Sequence, residues 1–141
     1  MKKTAQQLID EANAIVDQIT PTDANALLGK EGVLFVDLRD IRELWREGTI
    51  PGAMSAPRGM LEFWVDPECK YHRAAFDDAE KLVLFCASAW RSALATRALH
   101  EMGMDNVCHL EGGFTAWRDS GLEIAPVKNP YLEKGKKGVD L

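Results

Sequence analysis

Several kinds of feature are missing from this chain of 141 residues, and each absence excludes a class of protein. No apolar run approaches the roughly 20 residues that a membrane-spanning helix needs, so we expect no membrane contact. Lys2 and Lys3 are not followed by an apolar segment, so no secretory signal is expected. Acidic residues exceed Lys and Arg by 22 to 17, and this net charge of −5 gives no support for nucleic-acid binding.

Cysteine is scarce and dispersed in the sequence. Cys69, Cys86 and Cys108 have neither the spacing of a disulfide framework nor that of a zinc site. A reducing, cytoplasmic setting with free thiols is the simplest expectation. No glycine-rich phosphate loop follows the first predicted strand, which argues against a dinucleotide cofactor. The chain length favours a single domain.

The stretch from residue 81 to 103 carries the clearest chemical signal. Lys81–Phe85 is a short apolar run that predicts a buried strand, and residues 92–102 have apolar side chains at helical spacing. Cys86 lies between them, at the carboxyl end of the strand and just before the helix. Backbone N–H groups and the helix dipole favour an anionic sulfur at such a place. A purely packing role for Cys86 is the alternative, and its position between strand and helix argues against that role.

The rest of the chain alternates predicted helices and strands, which indicates a parallel α/β sheet. An amphipathic helix is expected at its start, packed on its own domain or forming a homodimer contact. We predict domain boundaries at 1–19, 20–125 and 126–141, with a loosely held tail from residue 128. The predicted helices cover residues 4–19, 21–28, 41–47 and 114–119, and the further strands cover residues 33–37, 54–56 and 107–110. The first three helices are expected to begin at capping residues, which are Thr4 with Gln7, Thr20, and Asp40 with Glu43.

Residues 58–76 show no clean periodicity but are rich in large side chains. Long irregular segments in compact domains are often functional, so we predict a partly helical excursion that covers the site. Packing over the sheet edge is the alternative, and the two are compatible. Arg58 and Arg73 are candidate cations for an anionic substrate, whereas His72 is expected at the surface.

Four motifs in register resemble those of the single-domain rhodanese family. They are Val-Leu-Phe-Val-Asp-Leu-Arg at 33–39, Glu-Gly-Thr-Ile-Pro-Gly-Ala at 47–53, Cys-Ala-Ser-Ala-Trp-Arg-Ser at 86–92, and Glu-Gly-Gly-Phe-x-x-Trp at 111–117. The resemblance covers residues 20 to 125. It implies a three-layer domain with a central, mainly parallel sheet flanked by helices, to which the N-terminal helix is added.

The resemblance also implies a reaction. The Cys86 thiolate takes a sulfane sulfur from thiosulfate or a similar small donor, and the resulting persulfide passes it to a thiol or to cyanide. Substrate-binding roles are expected for Arg58 and for the loop residues, whose N–H groups can stabilise the sulfur anion: Ala87, Ser88, Ala89, Trp90, Arg91 and Ser92. No metal or organic cofactor is needed.

Two positions depart from the family pattern. Thr49 stands where histidine is usual, and Ala89 stands where many members have glycine. If position 89 requires a positive φ, alanine there costs about 1 kcal/mol. Both departures bear on substrate preference more than on activity.

Several residues near Cys86 have competing interpretations. Arg91 either binds the donor or pairs with a carboxylate, with Asp37 and Glu43 as the candidates. Ser92 is expected to cap the following helix, and Trp90 to lie at the rim of the pocket. Trp45 and Trp117 are expected in the core, Arg39 and Glu43 to form an ion pair, and Cys69 and Cys108 to have no catalytic role.

Two other functional classes remain open. Cys-based phosphatases and arsenate reductases can be built on a similar scaffold, but the phosphatases of the cell-division-cycle type use Cys-x5-Arg, whereas Cys86 and Arg91 give Cys-x4-Arg. The other class is the non-catalytic rhodanese-like interaction module. Such modules often lack the cysteine, which is present here.

Overall fold

The centre of the protein is a five-stranded sheet in which every neighbouring pair is parallel. The computed structural model describes residues 1–133. The strand order is β1-β5-β4-β2-β3. Because all the strands are parallel, their carboxyl ends lie at the same end of the sheet. The strands are β1 (Asp17–Ile19), β2 (Val33–Asp37), β3 (Met54–Ser55), β4 (Lys81–Phe85) and β5 (Val107–Leu110).

Helices cover both faces of the sheet, which confirms the predicted three-layer α/β architecture. The α-helices are α1 (Ala5–Asn13), α2 (Pro21–Leu27), α3 (Ile41–Glu47), α4 (Leu61–Val65), α5 (Trp90–Glu101), α6 (Gly113–Asp119) and α7 (Pro130–Glu133). Two 3₁₀ turns lie at Arg58–Met60 and Ala74–Phe76. None of the helices in the described part of the chain has the length and apolar content needed to cross a membrane.

The alternation of side chains along β4 decides where Cys86 lies. Leu82 and Leu84 belong to the core cluster with residues of α4 and α5, whereas Val83 and Phe85 belong to the cluster with residues of α2 and α6. Successive side chains of a strand point to opposite faces. Cys86 continues this alternation and is buried in the first cluster, on the α5 side of the sheet.

The prediction of one helix over residues 4–19 was wrong beyond Asn13. The helix begins as expected, with Thr4 and Gln7 forming a reciprocal capping box. It then ends, and β1 adds an edge strand that pairs with β5. The apolar residues at helical spacing include Ile15, whose side chain is 55% exposed, so the periodicity there did not reflect burial. Backbone pairing at the free edge of β5 overrides the helical pattern.

The predicted excursion over residues 58–76 is partly helical, with α4 and both 3₁₀ turns. Its residues Leu61, Val65 and Phe76 are buried in the same core cluster as Cys86, so the segment packs on that face of the sheet. The first part of the predicted tail contains α7, and Tyr131 of this helix packs edge-on against Trp45 with ring centroids 5.9 Å apart. The rest of the predicted tail, residues 134–141, lies outside the described residues.

Candidate active site

The loop between β4 and α5 contains an alanine in the left-handed conformation. Ala89 has φ 68° and is the N-cap of α5, which begins at Trp90. Ser92 is therefore the third residue of the helix and not its cap, so the predicted capping role of Ser92 was wrong. Because Ala89 turns the chain sharply, the helix starts two residues earlier than its apolar pattern indicated, and its first turn lies beside Cys86.

Cys86 is fully buried, and its sulfur contacts two groups of Ser92. The Ser92 N–H donates to Sγ at 3.4 Å, and the Cys86 thiol and Ser92 hydroxyl are 3.6 Å apart. Among the described residues, none accepts a hydrogen bond from the backbone N–H groups of residues 87–91. Unsatisfied N–H groups at a helix start attract anions. Since Cys86 is buried, a substrate reaches the sulfur only when the loop or a covering side chain moves.

The turn that follows β5 holds the loop in place. Phe114 N–H donates to the Cys86 carbonyl at 2.8 Å, and Thr115 N–H donates to the Ala87 carbonyl at 3.1 Å. These contacts require Gly113, which has φ 64°, because a Cβ there would lie only 2.5 Å from the Ala87 oxygen. Gly113 of the closing motif therefore allows the turn after β5 to support the loop.

Arg91 has the structural role that was one of its two predicted interpretations. Its guanidinium donates two hydrogen bonds to the Glu43 carboxylate, at 2.9 and 3.0 Å, and so ties the start of α5 to α3. Glu43 also accepts from the Asp40 N–H in the predicted capping box. The hydrogen bond from Arg91 lowers the pKa of Glu43, and the bond to Glu43 raises the pKa of Arg91, to which Cys86 adds a smaller contribution.

The Glu43–Arg91 ion pair is expected to make the free energy of unfolding depend on pH. Because the folded-state pKa of Glu43 is below its usual 4.5, the stabilisation is present above that value and is lost as pH falls through the folded pKa. Replacing Glu43 with Gln is expected to lower the free energy of unfolding by about 0.5–1 kcal/mol at about pH 7. The difference from the unmodified protein should shrink towards about pH 3 in urea titrations. A difference that stays constant with pH contradicts this role.

Asp37 is not the partner of Arg91, because it is engaged by other groups. Arg39 donates to the Asp37 carboxylate through Nε at 3.0 Å and Nη2 at 2.9 Å, and the Thr49 hydroxyl donates to it at 2.7 Å. Both ionic side chains are fully buried, and the Arg39 guanidinium lies 4.1 Å from the Phe114 ring centroid. Thr49 thus has a defined structural role in place of the histidine that the resemblance led us to expect.

The predicted Arg39–Glu43 ion pair does not form. Arg39 precedes the cap of α3, so the spacing rule for helix neighbours does not apply to it. Its nearest carboxylate besides Asp37 is Glu47, at 3.7 Å. The Nη2 group that donates to Asp37 also donates to the Gly48 carbonyl at 2.7 Å, and it is Nη1 that faces Glu47.

The predicted cations of the excursion have partners outside the loop. Arg58 pairs with Glu62, and Arg73 lies over the Trp64 ring at 4.1 Å. A substrate-binding role for Arg58 therefore stays a prediction. Trp90 is 61% exposed at the beginning of α5, and its place at the rim of a pocket stays a prediction.

His109 is the polar residue near Cys86 that the sequence analysis missed. It lies in β5, is fully buried, and has both ring nitrogens within hydrogen-bond distance of side chains: Nδ1 is 3.0 Å from Ser92 Oγ, and Nε2 is 2.8 Å from Asn13 Oδ1. Burial lowers its pKa to about 4, so the imidazole is neutral at pH 7. A histidine inside a four-residue buried strand was the available signal, since buried polar groups need partners.

The other two cysteines lie apart from these contacts. Cys108 is buried, its thiol is 3.7 Å from the Leu82 carbonyl, and burial raises its pKa. Cys69 is partly buried and accepts from the Tyr71 N–H at 3.5 Å. In the described part of the chain, no group of three or more His, Cys, Asp or Glu side chains is arranged to hold a metal ion.

The conformation of Ala89 leads to a prediction about the loop. Alanine in the left-handed region costs about 1 kcal/mol relative to glycine. Ala89→Gly is therefore expected to leave thiosulfate turnover unchanged or to raise it, with stability equal or higher by up to about 1 kcal/mol. Steady-state kinetics and urea unfolding test this. A loss of turnover of more than about tenfold would show that the Ala89 methyl group is needed for the pocket.

The chain is similar to a known protein family and to proteins of known structure. The rhodanese-like domain matches the chain over residues 20–120. A Rhodopseudomonas palustris protein, described as of unknown function and a possible tyrosine phosphatase, has a similar structure with a TM-score of 0.84 and 45% identity, over 88% of this chain and 96% of that one. The polysulfide-sulfur transferase homodimer of Wolinella succinogenes has a TM-score of 0.64 and 28% identity, over 87% and 88% of the two chains.

A further relative is longer than this chain. The tRNA uridine(34) hydroxylase of Mesorhizobium japonicum is 33% identical over 123 residues, which are 85% of this chain and 37% of the hydroxylase. The chain thus spans little more than a third of that relative's length.

Proposed function

The chain belongs to the rhodanese-like domain family, and we propose that it is a sulfurtransferase that moves a sulfane sulfur through a persulfide on Cys86. The observation that carries this proposal is the place of the Cys86 sulfur. It accepts the Ser92 N–H at the start of α5, within a loop whose other N–H groups have no acceptor among the described residues. Such a loop can stabilise a negative charge on one sulfur and on a second sulfur bonded to it.

In the first step, the Cys86 thiolate attacks the outer sulfur of thiosulfate. The new bond joins Sγ to that sulfur, the old sulfur–sulfur bond breaks, and sulfite leaves with the bonding electron pair. In the second step, cyanide or a thiolate attacks the terminal sulfur of the persulfide, and the Cys86 thiolate leaves. The intermediate is covalent, so ping-pong kinetics are expected.

The charges around the loop support an anionic donor without a dedicated cation. Glu43 partly balances the charge of Arg91, so some positive charge remains near the sulfur. The same ion pair holds the start of α5 against α3. The free N–H groups then become the main donors to the substrate. Arg58 remains a candidate second contact for the donor, because its ion pair with Glu62 is partly exposed.

The cellular context belongs to the same proposal. We propose a small sulfane-sulfur donor, of which thiosulfate and polysulfide are examples, and a thiol acceptor in the cytoplasm. The three cysteines of the chain are free, as that setting favours. A homodimer through α1 stays a prediction: Ile9 and Ala12 pack against α5 of the same chain, whereas Leu8 is exposed.

The phosphatase alternative is favoured by one observation, the description of the Rhodopseudomonas palustris relative. Loop length argues against it here. Four residues separate Cys86 from Arg91, one fewer than in the related phosphatases. A shorter loop makes a smaller ring of N–H donors, which suits one sulfur atom better than the several oxygens of a phosphate.

A paired assay with thiosulfate and with an aryl phosphate tests the proposed function against this alternative. The unmodified protein is expected to transfer sulfur to cyanide and to show no useful phosphatase activity. A variant with one glycine inserted between Ala89 and Trp90 should lose sulfur transfer and bind phosphate or arsenate better. Efficient hydrolysis of the aryl phosphate by the unmodified protein would put the phosphatase function first.

A further inference from the structure

A continuous line of polar contacts leads from Cys86 through the apolar layer to the N-terminal helix. The Cys86 sulfur is 3.6 Å from Ser92 Oγ, which is 3.0 Å from His109 Nδ1, and His109 Nε2 is 2.8 Å from Asn13 Oδ1. The four residues come from the β4 loop, α5, β5 and α1. Ser92 and His109 are fully buried, whereas Asn13 is only partly buried.

The direction of these hydrogen bonds depends on which nitrogen of His109 carries the proton. In the arrangement seen, Asn13 Oδ1 faces Nε2, so Nε2–H donates outward and Nδ1 accepts from the Ser92 hydroxyl. The Ser92 oxygen then faces the sulfur with a lone pair, which suits a neutral thiol as donor. In all three hydrogen bonds the donor therefore lies on the Cys86 side and the acceptor on the Asn13 side.

An anionic sulfur can only accept hydrogen bonds, so in each of the three bonds the donor must then lie on the Asn13 side. The Ser92 hydroxyl has a single proton, so it can donate to the sulfur only if it does not donate to His109 Nδ1. If Nδ1 carries the imidazole proton, it donates to Ser92 Oγ, and the hydroxyl proton is available to the sulfur. Asn13 completes the line when its amide turns and NH₂ donates to Nε2.

We propose that His109 is a positioning residue whose tautomer follows the charge on the Cys86 sulfur, so that Ser92 accepts from the thiol and donates to the thiolate or persulfide. The inference rests on the proposed function, since it concerns the same sulfur and its persulfide. In the anionic state Ser92 supplies two donors, its N–H at 3.4 Å and its hydroxyl. Hydrogen bonds to charged acceptors are about twice as strong as neutral ones, and linked bonds strengthen one another. The line therefore favours the anion.

The surroundings of His109 suit a change of tautomer rather than a resting cation. Its paired neighbours in the sheet are the uncharged residues Gln18 of β1 and Leu84 of β4. Burial lowers the pKa of His109 to about 4, so the ring is neutral at pH 7 in the arrangement seen. On the helices packed around it, Arg91 of α5 pairs with Glu43 of α3, and Glu11 of α1 pairs with Lys3 and with Arg97 of α5. Asp10 of α1 accepts a hydrogen bond from the uncharged Gln6 side chain.

Nitrogen-15 NMR of the full chain tests the proposal directly, because the two ring nitrogens of histidine report the tautomer. Spectra are recorded across the pH range of Cys86 ionisation, without any sulfur donor, and exposed His100 serves as the internal reference. His109 is expected to change from the Nε2–H to the Nδ1–H tautomer as the thiolate forms, and to remain neutral. In Cys86→Ser it should keep one tautomer throughout. The same tautomer in thiol and thiolate, or an imidazolium, overturns the proposal.

A double-mutant comparison provides the second measurement. Thiolate formation is followed by absorbance at 240 nm, with Cys86→Ser as the blank. His109→Phe is expected to move the midpoint to higher pH by about half a unit, and Ser92→Ala by about one unit. The two together should shift it no further than Ser92→Ala alone, because His109 acts through Ser92. Additive shifts, or no shift in His109→Phe, contradict the proposal. If His109 changes its tautomer but the protein does not transfer sulfur, the proposed function is wrong and the proposal for His109 stands.

Discussion

Replacement of Cys86 with Ser is expected to abolish thiosulfate:cyanide sulfur transfer, with a loss of at least about a thousandfold. A serine hydroxyl at this position is not ionised at neutral pH and cannot form a persulfide. The fold should be retained, because the oxygen fits the space beside Ser92 and keeps a hydrogen-bond partner there. Steady-state assays with both substrates measure the effect.

The other two cysteines provide matched controls for this substitution. Cys69→Ser and Cys108→Ser should retain most of the activity, because neither thiol contacts the loop. Normal turnover by Cys86→Ser would contradict the mechanism. If Cys69→Ser stalls after one turnover, then Cys69 resolves the persulfide as a disulfide and has more than a packing role.

Replacement of Gly113 with Ala is expected to lower sulfur transfer by at least about a hundredfold, although Gly113 touches no substrate. The added Cβ would lie 2.5 Å from the Ala87 oxygen and 2.7 Å from the Cys86 oxygen. The loop must then move away from α6 and lose the hydrogen bonds from Phe114 and Thr115. The free energy of unfolding should fall by about 2–4 kcal/mol through lost hydrogen bonds and strain.

Gly29 offers a control that separates backbone strain from the clash. Its φ of 77° resembles that of Gly113, but a Cβ at Gly29 would have no atom within 4 Å. Gly29→Ala should therefore cost about 1–2 kcal/mol of stability and leave turnover unchanged. Full sulfur transfer by Gly113→Ala would show that the turn after β5 does not support the loop.

Local signals in the sequence were sufficient for most of the fold. The predicted bounds of β2, β4 and β5 agree with the structure, and so do the caps at Thr20 and Asp40. These elements depend on short-range rules: apolar runs of strand length, and side chains that accept hydrogen bonds from the next turn. The end of α1 was missed because its apolar spacing continued into residues that pair with the sheet edge.

Local signals were less sufficient for the candidate site. They placed Cys86 between a strand and a helix, as it is in the structure, and Glu43 was one of two carboxylates expected to pair with Arg91. They did not reveal the Asn13–His109 contact, which joins residues 96 positions apart. The role of Ser92 was also misjudged, because the start of α5 depends on the left-handed conformation of Ala89. Such contacts follow from the assembled sheet and helices, and no periodicity in one segment encodes them.

Intact-protein mass spectrometry after exposure to thiosulfate shows whether Cys86 carries the transferred sulfur. The protein is expected to gain the mass of one sulfur atom, the added sulfur should map to Cys86, and cyanide should remove it. Cys86→Ser should gain nothing under the same conditions. An unchanged mass of the unmodified protein, or an added sulfur on Cys69 or Cys108, would contradict a persulfide mechanism at Cys86.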